Sequence, residues 1–124
     1  MMNSNPPEPL APPKDDPYTL DQLKAFDGSD PSKPLYLAVK GTVFDVSAKR
    51  DMYGPGGSYA LLAGKDASVA LGKSSLKEED ATPDWSTLEP SEKQTLDQWH
   101  GFFTKKYSIV GKVSDLPEAV RDAS

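Results

Sequence analysis

The chain has 124 residues, a formal charge of −5, no cysteine and a single histidine. That length suits one domain; the missing cysteines exclude disulfides, thiol chemistry and cysteine-based zinc sites, and the lone histidine excludes bis-imidazole ligation of a metal within one chain. The acidic balance argues against a general nucleic-acid binder, which would carry a basic stripe.

Residues 1–17 hold six prolines and little apolar material besides Leu10 and Ala11, which reads as an extended, disordered Pro-rich tail. No apolar run approaches the roughly 20 residues that span a bilayer. The start, Met1 to Pro6, lacks the basic region and apolar core of a secretory signal. A soluble chain in a reducing compartment is the expectation.

The domain is expected over residues 18–113. Thr19-Leu20-Asp21-Gln22 has the form of a capping box, opening a short helix whose Leu20, Leu23 and Phe26 share a face and which Asp27-Gly28 closes. Leu35–Val39 alternates as a strand does, Lys40-Gly41 is a turn, and Thr42–Val46 is a second strand paired with the first.

Asp51–Ser68 is the densest stretch of local design. Gly54-Pro55-Gly56-Gly57 is expected to be a loop, and it separates Tyr53 from Tyr59 by six positions. Ser58 is expected to cap a helix beginning at Tyr59, and Asp66 a second one running to Gly72. Such short helices need tertiary packing to persist, so a cavity edged by them is physically reasonable. The alternative is a tight connection that carries two packed tyrosines.

Residues 73–90 are polar, read as a solvated insertion, with Trp85 and Leu88 folded back onto the domain. Ser91-Glu92-Lys93-Gln94 is a second capping box candidate, starting the longest helix through Lys105. Its Leu96, Trp99 and Phe103 form a buried stripe, with Phe102 just off it. His100 lies beyond that stripe, as a surface or boundary residue. Tyr107–Val113 reads as the last strand, and residues 114–124 as a polar C-terminal tail.

This order of motifs resembles the membrane-associated progesterone receptor family, a branch of the cytochrome b5-like fold. The carrying residues are Val43-Phe44-Asp45-Val46, Tyr53-Gly54-Pro55-Gly56-Gly57-Ser58-Tyr59 and Ala63-Gly64-Lys65-Asp66-Ala67-Ser68. Further along come Leu96-Asp97-Gln98-Trp99, Lys105-Lys106-Tyr107 and Val110-Gly111-Lys112-Val113. The resemblance covers about residues 18–113 and neither tail. It implies an α+β fold, with a small cytochrome b5-like sheet and short helices forming a heme pocket.

It further implies heme b held through the phenolate of Tyr59 as the metal ligand, with Tyr53 close by. Lys106 and Tyr107 would lie near the ligand, holding the coordinating tyrosine or a propionate. The implied function is non-enzymatic modulation of cytochrome P450 in sterol metabolism or heme handling. A heme-mediated homodimer and a bound steroid are implied partners. The implied place is the cytoplasm, with peripheral contact at the endoplasmic reticulum membrane. Many relatives have an N-terminal membrane helix, and here that end is Pro-rich.

An anionic phenolate favours ferric over ferrous iron, and the axial ligand is a principal lever on heme chemistry. The expected first turn of a helix at Tyr59 would add amide donors and a positive helix end. Three other functions stay open at this level: a steroid or sterol carrier, an electron-transfer cytochrome, and an adaptor that keeps the fold without the ligand. No hydrolase constellation stands out, because a triad needs geometry rather than inventory.

Overall fold

The computed structural model describes residues 12–121. Four strands form one sheet in the order β1-β4-β3-β2. Strands β2 (Tyr36–Val39) and β3 (Thr42–Asp45) make the expected hairpin, pairing Tyr36 with Asp45 and Val39 with Thr42. The two turn residues, Lys40 and Gly41, have φ of 50° and 78°, the left-handed geometry that matches the twist of a two-residue hairpin. Strand β4 (Ser108–Val113) lies antiparallel to β3, with a register shift between Val43 and Phe44.

Both expected tails are held further than the sequence suggested. Strand β1 (Pro17–Tyr18) pairs parallel with β4. Even before it, the Lys14 amide donates to the Ile109 carbonyl and the Lys112 amide to the Asp16 carbonyl. This cover satisfies the outer edge of β4, which would otherwise present a row of unpaired amides. At the other end, helix α5 (Glu118–Arg121) follows a buried Leu116, and Val120 is buried too. A Cβ on Gly41 would sit 2.7 Å from the Leu116 methyl, so the hairpin turn leaves the space Leu116 fills. Residues 1–11 and 122–124 of the two expected tails lie outside the described residues.

Helix α1 (Leu20–Leu23) starts on the predicted capping box, with both reciprocal bonds between Thr19 and Gln22 present. Helix α2 (Arg50–Tyr53) leads into the glycine loop, and α3 (Ser68–Lys73) follows it. Helix α4 (Pro90–Lys106) begins slightly before its expected cap. Its box is Glu89 with Glu92, because Pro90 at the first helical position presets the backbone there.

The main core lies between the sheet and these helices. Leu23, Leu35, Leu37, Val43, Phe44, Leu96 and Phe103 are fully buried in it. Trp85 and Leu88 do fold back onto it from the polar insertion. Among the described residues, no helix is long and apolar enough to cross a membrane.

Asp66 is the buried polar joint of this arrangement. Its carboxylate accepts from the Gly41 amide on one oxygen and from the Ser68 amide and hydroxyl on the other. It therefore clamps the β2–β3 turn to the start of α3, rather than capping a helix on its own. Burial raises its pKa from 3.8 to about 7, against the pull of those donors.

Candidate functional site

The glycine loop sets the position of Tyr59. A Cβ on Gly57 would lie 2.2 Å from the Met52 carbonyl oxygen and 2.8 Å from that of Asp51. Only a residue without a side chain lets the loop close that tightly on the end of α2. The closure lets the Tyr59 amide donate to the Met52 carbonyl at 2.9 Å, returning the chain to within one ring of Tyr53. The Tyr53 and Tyr59 rings stand 5.8 Å apart at 34°.

The helix expected at Tyr59 is replaced by a single tight turn, Ala60–Leu62, with no side-chain cap; Ser58 is exposed. The reason lies downstream: the Gly64 amide, which a helix from Tyr59 would return to the Ala60 carbonyl, is drawn to the Tyr36 carbonyl on the sheet at 2.7 Å, and Gly64 takes a φ of 71°. Support of a Tyr59 phenolate by a helix dipole is therefore withdrawn, since so short a turn has little dipole to offer.

Tyr53, Tyr59, Lys106 and Tyr107, drawn from three separate stretches of sequence, line one cavity of about 360 Å3. That volume falls in the range of small-molecule sites, about 300–1,000 Å3. Its walls are Met52 from α2, Leu62 from the turn Ala60–Leu62, Ala70 and Leu71 from α3, and Trp99, Phe102 and Phe103 from α4. Leu76 and Phe102, the two exposed large hydrophobic residues among those described, both lie on its border.

The tyrosines are not equivalent. Tyr53 is buried, and burial pushes its pKa well above the usual phenol value. Tyr107, edge-on to it with ring centres 6.4 Å apart, and then Tyr59 push it further the same way. Tyr107 is raised by burial too, offset in part by Tyr53 beside it. Tyr53 is thus a neutral phenol beside a second buried phenol. The Tyr59 side is only partly buried. Lys106 is exposed at the end of α4, its ammonium 5.6 Å from the centre of the Phe102 ring.

His100 is absent from the cavity wall. It makes a 3.1 Å hydrogen bond with the Thr42 hydroxyl and meets the Phe44 ring edge-on, on the sheet side of α4. Burial, then the Lys40 cation, lowers its pKa. Among the described residues, no cluster of three His, Asp or Glu side chains could hold a metal ion.

Sequence reasoning missed Lys49 and Leu76 as wall residues. Lys49 ends the tight turn Ser47–Lys49, and Leu76 sits in the aperiodic insertion. Neither belongs to a helical stripe or a strand alternation that could have flagged it. Phe103 was legible as buried; Trp99, expected on the same buried stripe, is only partly buried, because it faces the cavity.

The residues present suit an apolar macrocycle with acidic substituents. The walls are flat aromatic and aliphatic groups, the polar contacts are phenols, two lysines and the serines Ser74 and Ser75, and no carboxylate lines the cavity. A phenolate at Tyr59 is an oxygen donor of the kind that ligates heme iron.

Comparison with known proteins agrees with this architecture. The family described as "Cytochrome b5-like Heme/Steroid binding domain" matches residues 19–114. Probable steroid-binding protein 3 of Arabidopsis thaliana is 49% identical over 96 residues, covering 77% of this chain and 96% of the relative. Membrane steroid-binding protein 1 of the same plant is 53% identical, covering 77% of this chain but 43% of the relative. Cytochrome P450 regulator dap1 of Schizosaccharomyces pombe is 40% identical, covering 82% of this chain and 65% of the relative. The chain thus spans less than half of one of these relatives and nearly all of another.

A solved Arabidopsis thaliana structure, described as having a cytochrome b5 like fold, superposes with a TM-score of 0.75. The two are 47% identical, with 81% of this chain and 92% of that one covered. With the family matched across most of its length, and with relatives and fold in agreement, the chain belongs to the cytochrome b5-like heme/steroid-binding domain family, in its membrane-associated progesterone receptor branch.

Proposed function

We propose that this protein binds heme b in the cavity, that Tyr59 would hold its iron, and that the protein acts without catalysis of its own as a modulator of cytochrome P450. The observation that carries this reading is the convergence of Tyr53, Tyr59, Tyr107 and Lys106 on one apolar-walled cavity from which His100 is absent. When bound, the group supplies a ferric centre that favours an anionic oxygen ligand.

The chain's own residues supply the rest. Gly57 and the Tyr59–Met52 bond hold the phenol in place. Tyr53 packs edge-on against Tyr107, and the Tyr107 hydroxyl, on the same cavity as Tyr59, would donate to the Tyr59 oxygen or to a ligand carboxylate. Such donation would draw electron density from a phenolate and tune its hold. Leu62, Leu71, Trp99 and Phe103 exclude water from the apolar faces.

The P450 part rests on the relative named as a P450 regulator. The exposed Leu76 and Phe102 at the cavity border offer an apolar contact for a partner, or for a second copy of the chain with a ligand face between them. Contact with a membrane-resident P450 would bring the protein to the endoplasmic reticulum surface from the cytoplasm.

The test is a hemin titration of wild type and Tyr59→Phe, followed by absorption and ferric electron paramagnetic resonance. The expected result is a one-to-one complex with a high-spin tyrosinate signature in wild type, weakened and altered in the variant. An unchanged affinity and spectrum in Tyr59→Phe would remove Tyr59 from the role.

A second reading is direct steroid binding, favoured by the names of two relatives and by the apolar walls. Calorimetry of a neutral steroid with heme-free protein separates the two. Saturable binding there, together with no hemin complex, would replace the heme reading.

A further inference from the structure

We infer that the cavity selects an apolar ligand carrying two acidic groups, and that Lys49 is the second of its two anchoring cations. The inference rests on the heme reading above and specifies the ligand class that the site accepts. The chain has 19 acidic against 14 basic residues, yet the cavity is lined by Lys49 and Lys106 and by no aspartate or glutamate. In an acidic protein, that local inversion of sign marks the place where an anion is tolerated best.

The two lysines come from different walls, Lys49 from the turn before α2 and Lys106 from the end of α4. Lys24, Lys40 and Lys65 each face a carboxylate. Among the described residues, neither Lys49 nor Lys106 is in a salt bridge. Lys49 is also half-buried. An incoming carboxylate would there meet an ammonium that no salt bridge already holds.

One cation would serve a monoacid; two on separate walls match a flat apolar body with two carboxylates. A neutral steroid would leave both lysines unpaired and would gain only from the apolar walls. Discrimination between the ligand classes would then lie chiefly in Lys49 and Lys106, and only Tyr59 would act on the metal.

The experiment titrates wild type, Lys49→Gln and Lys49→Arg with hemin and with its neutral dimethyl ester, at low and high salt. Metal-free protoporphyrin IX, followed by fluorescence, repeats the comparison without iron ligation. Circular dichroism confirms that each variant is folded; Lys49 sits on a surface turn, and Lys49→Arg keeps the charge.

Lys49→Gln is expected to weaken hemin and protoporphyrin by about three- to tenfold, as for a part-exposed charge-assisted contact. The ester should be unaffected, Lys49→Arg should restore the preference, and the effect should shrink at high salt. Equal weakening of acid and ester, or of neither, overturns the inference while leaving the heme reading intact. Failure of folded wild type to bind hemin at all overturns the heme reading, and this inference with it.

Discussion

Phe103 is the residue through which fold and cavity depend on each other, so Phe103→Ala is the most informative single truncation. The side chain is fully buried. Its ring stands 5.5 Å from Phe44 on the sheet, 6.3 Å from Tyr53 and 5.4 Å from Tyr107; Trp99 and Phe102 complete five aromatic neighbours.

Removing a buried phenylalanine costs about 3–5 kcal/mol, the higher end applying where the surroundings cannot collapse. Collapse is hindered here because the neighbouring rings hang from β3, α2, α4 and the start of β4. We expect a loss of about 4 kcal/mol, a large share of a domain stability of about 5–15 kcal/mol. Urea unfolding monitored by tryptophan fluorescence reads it as a lower midpoint with little change in slope. Hemin affinity should fall as well, since the same ring forms a cavity wall. Phe103→Leu should lose less of both. A loss below about 1 kcal/mol for Phe103→Ala would refute the claim that the aromatic cluster is close-packed.

Tyr53→Phe removes a buried hydroxyl whose pKa is raised beside Tyr107; stability should fall by about 0.5–1.5 kcal/mol. In a double-mutant cycle, Tyr53→Phe and Tyr107→Phe should be non-additive, and additive losses would refute a coupling of the two hydroxyls. Gly57→Ala should displace the loop, because its methyl would enter the Met52 carbonyl; both the urea midpoint and hemin affinity should drop, and wild-type values for both would contradict the close approach. Asp66, raised to about 7 by burial, binds its proton more tightly in the folded protein than in the unfolded chain. Its contribution is therefore fully present below about pH 4 and lost as pH rises to about 7 and beyond. At about 1.4 kcal/mol per pKa unit, the loss has a ceiling of roughly 4 kcal/mol. The lowered His100 acts in the opposite direction, so the measurement is the wild-type urea midpoint at pH 5 and pH 8 set against Asp66→Asn. That variant should lack this slope and be less stable overall, because its amide would face the Gly41 N–H. An identical pH dependence in both proteins would refute the assignment.

What could be read in the sequence was what depends on local periodicity or local chemistry. The β2–β3 hairpin followed from alternation and from a turn pair tolerant of positive φ. Helix α1 followed from reciprocal capping by Thr19 and Gln22, and the α4 stripe from spacing at Leu96 and Phe103. The family resemblance pointed to Tyr53, Tyr59, Lys106 and Tyr107, and the fold puts all four on one cavity.

What could not be read depends on distant partners. Pro17 and Tyr18 become a strand only because β4 needs an edge partner. Leu116 is buried only because Gly41, 75 positions earlier, leaves it room. Tyr59 does not start a helix because the distant Tyr36 carbonyl claims the Gly64 amide that the helix would need. Lys49 joins the cavity only through tertiary placement of its turn.

These long-range dependences also explain why the site lies where it does. The two ends of the cavity's polar set, Tyr59 and Lys106–Tyr107, are attached to the sheet by different means. Tyr59 is fixed by the glycine loop and the Gly64–Tyr36 bond. Tyr107 sits where α4 turns into β4, its amide still bonded to the Phe103 carbonyl. Helix α3, which supplies the wall between them, is clamped to the hairpin turn by Asp66. A ligand that binds the folded cavity and not the unfolded chain must therefore stabilise loop, helix pair and sheet together. The reverse also follows: a change that loosens the Asp66 clamp or the Phe103 packing weakens ligand binding without touching the ligand. The glycine loop is thus more than a flexible connection between two packed tyrosines. It holds a buried phenol and a part-exposed phenol with their rings 5.8 Å apart, the second being the one proposed above as the ligand to a metal.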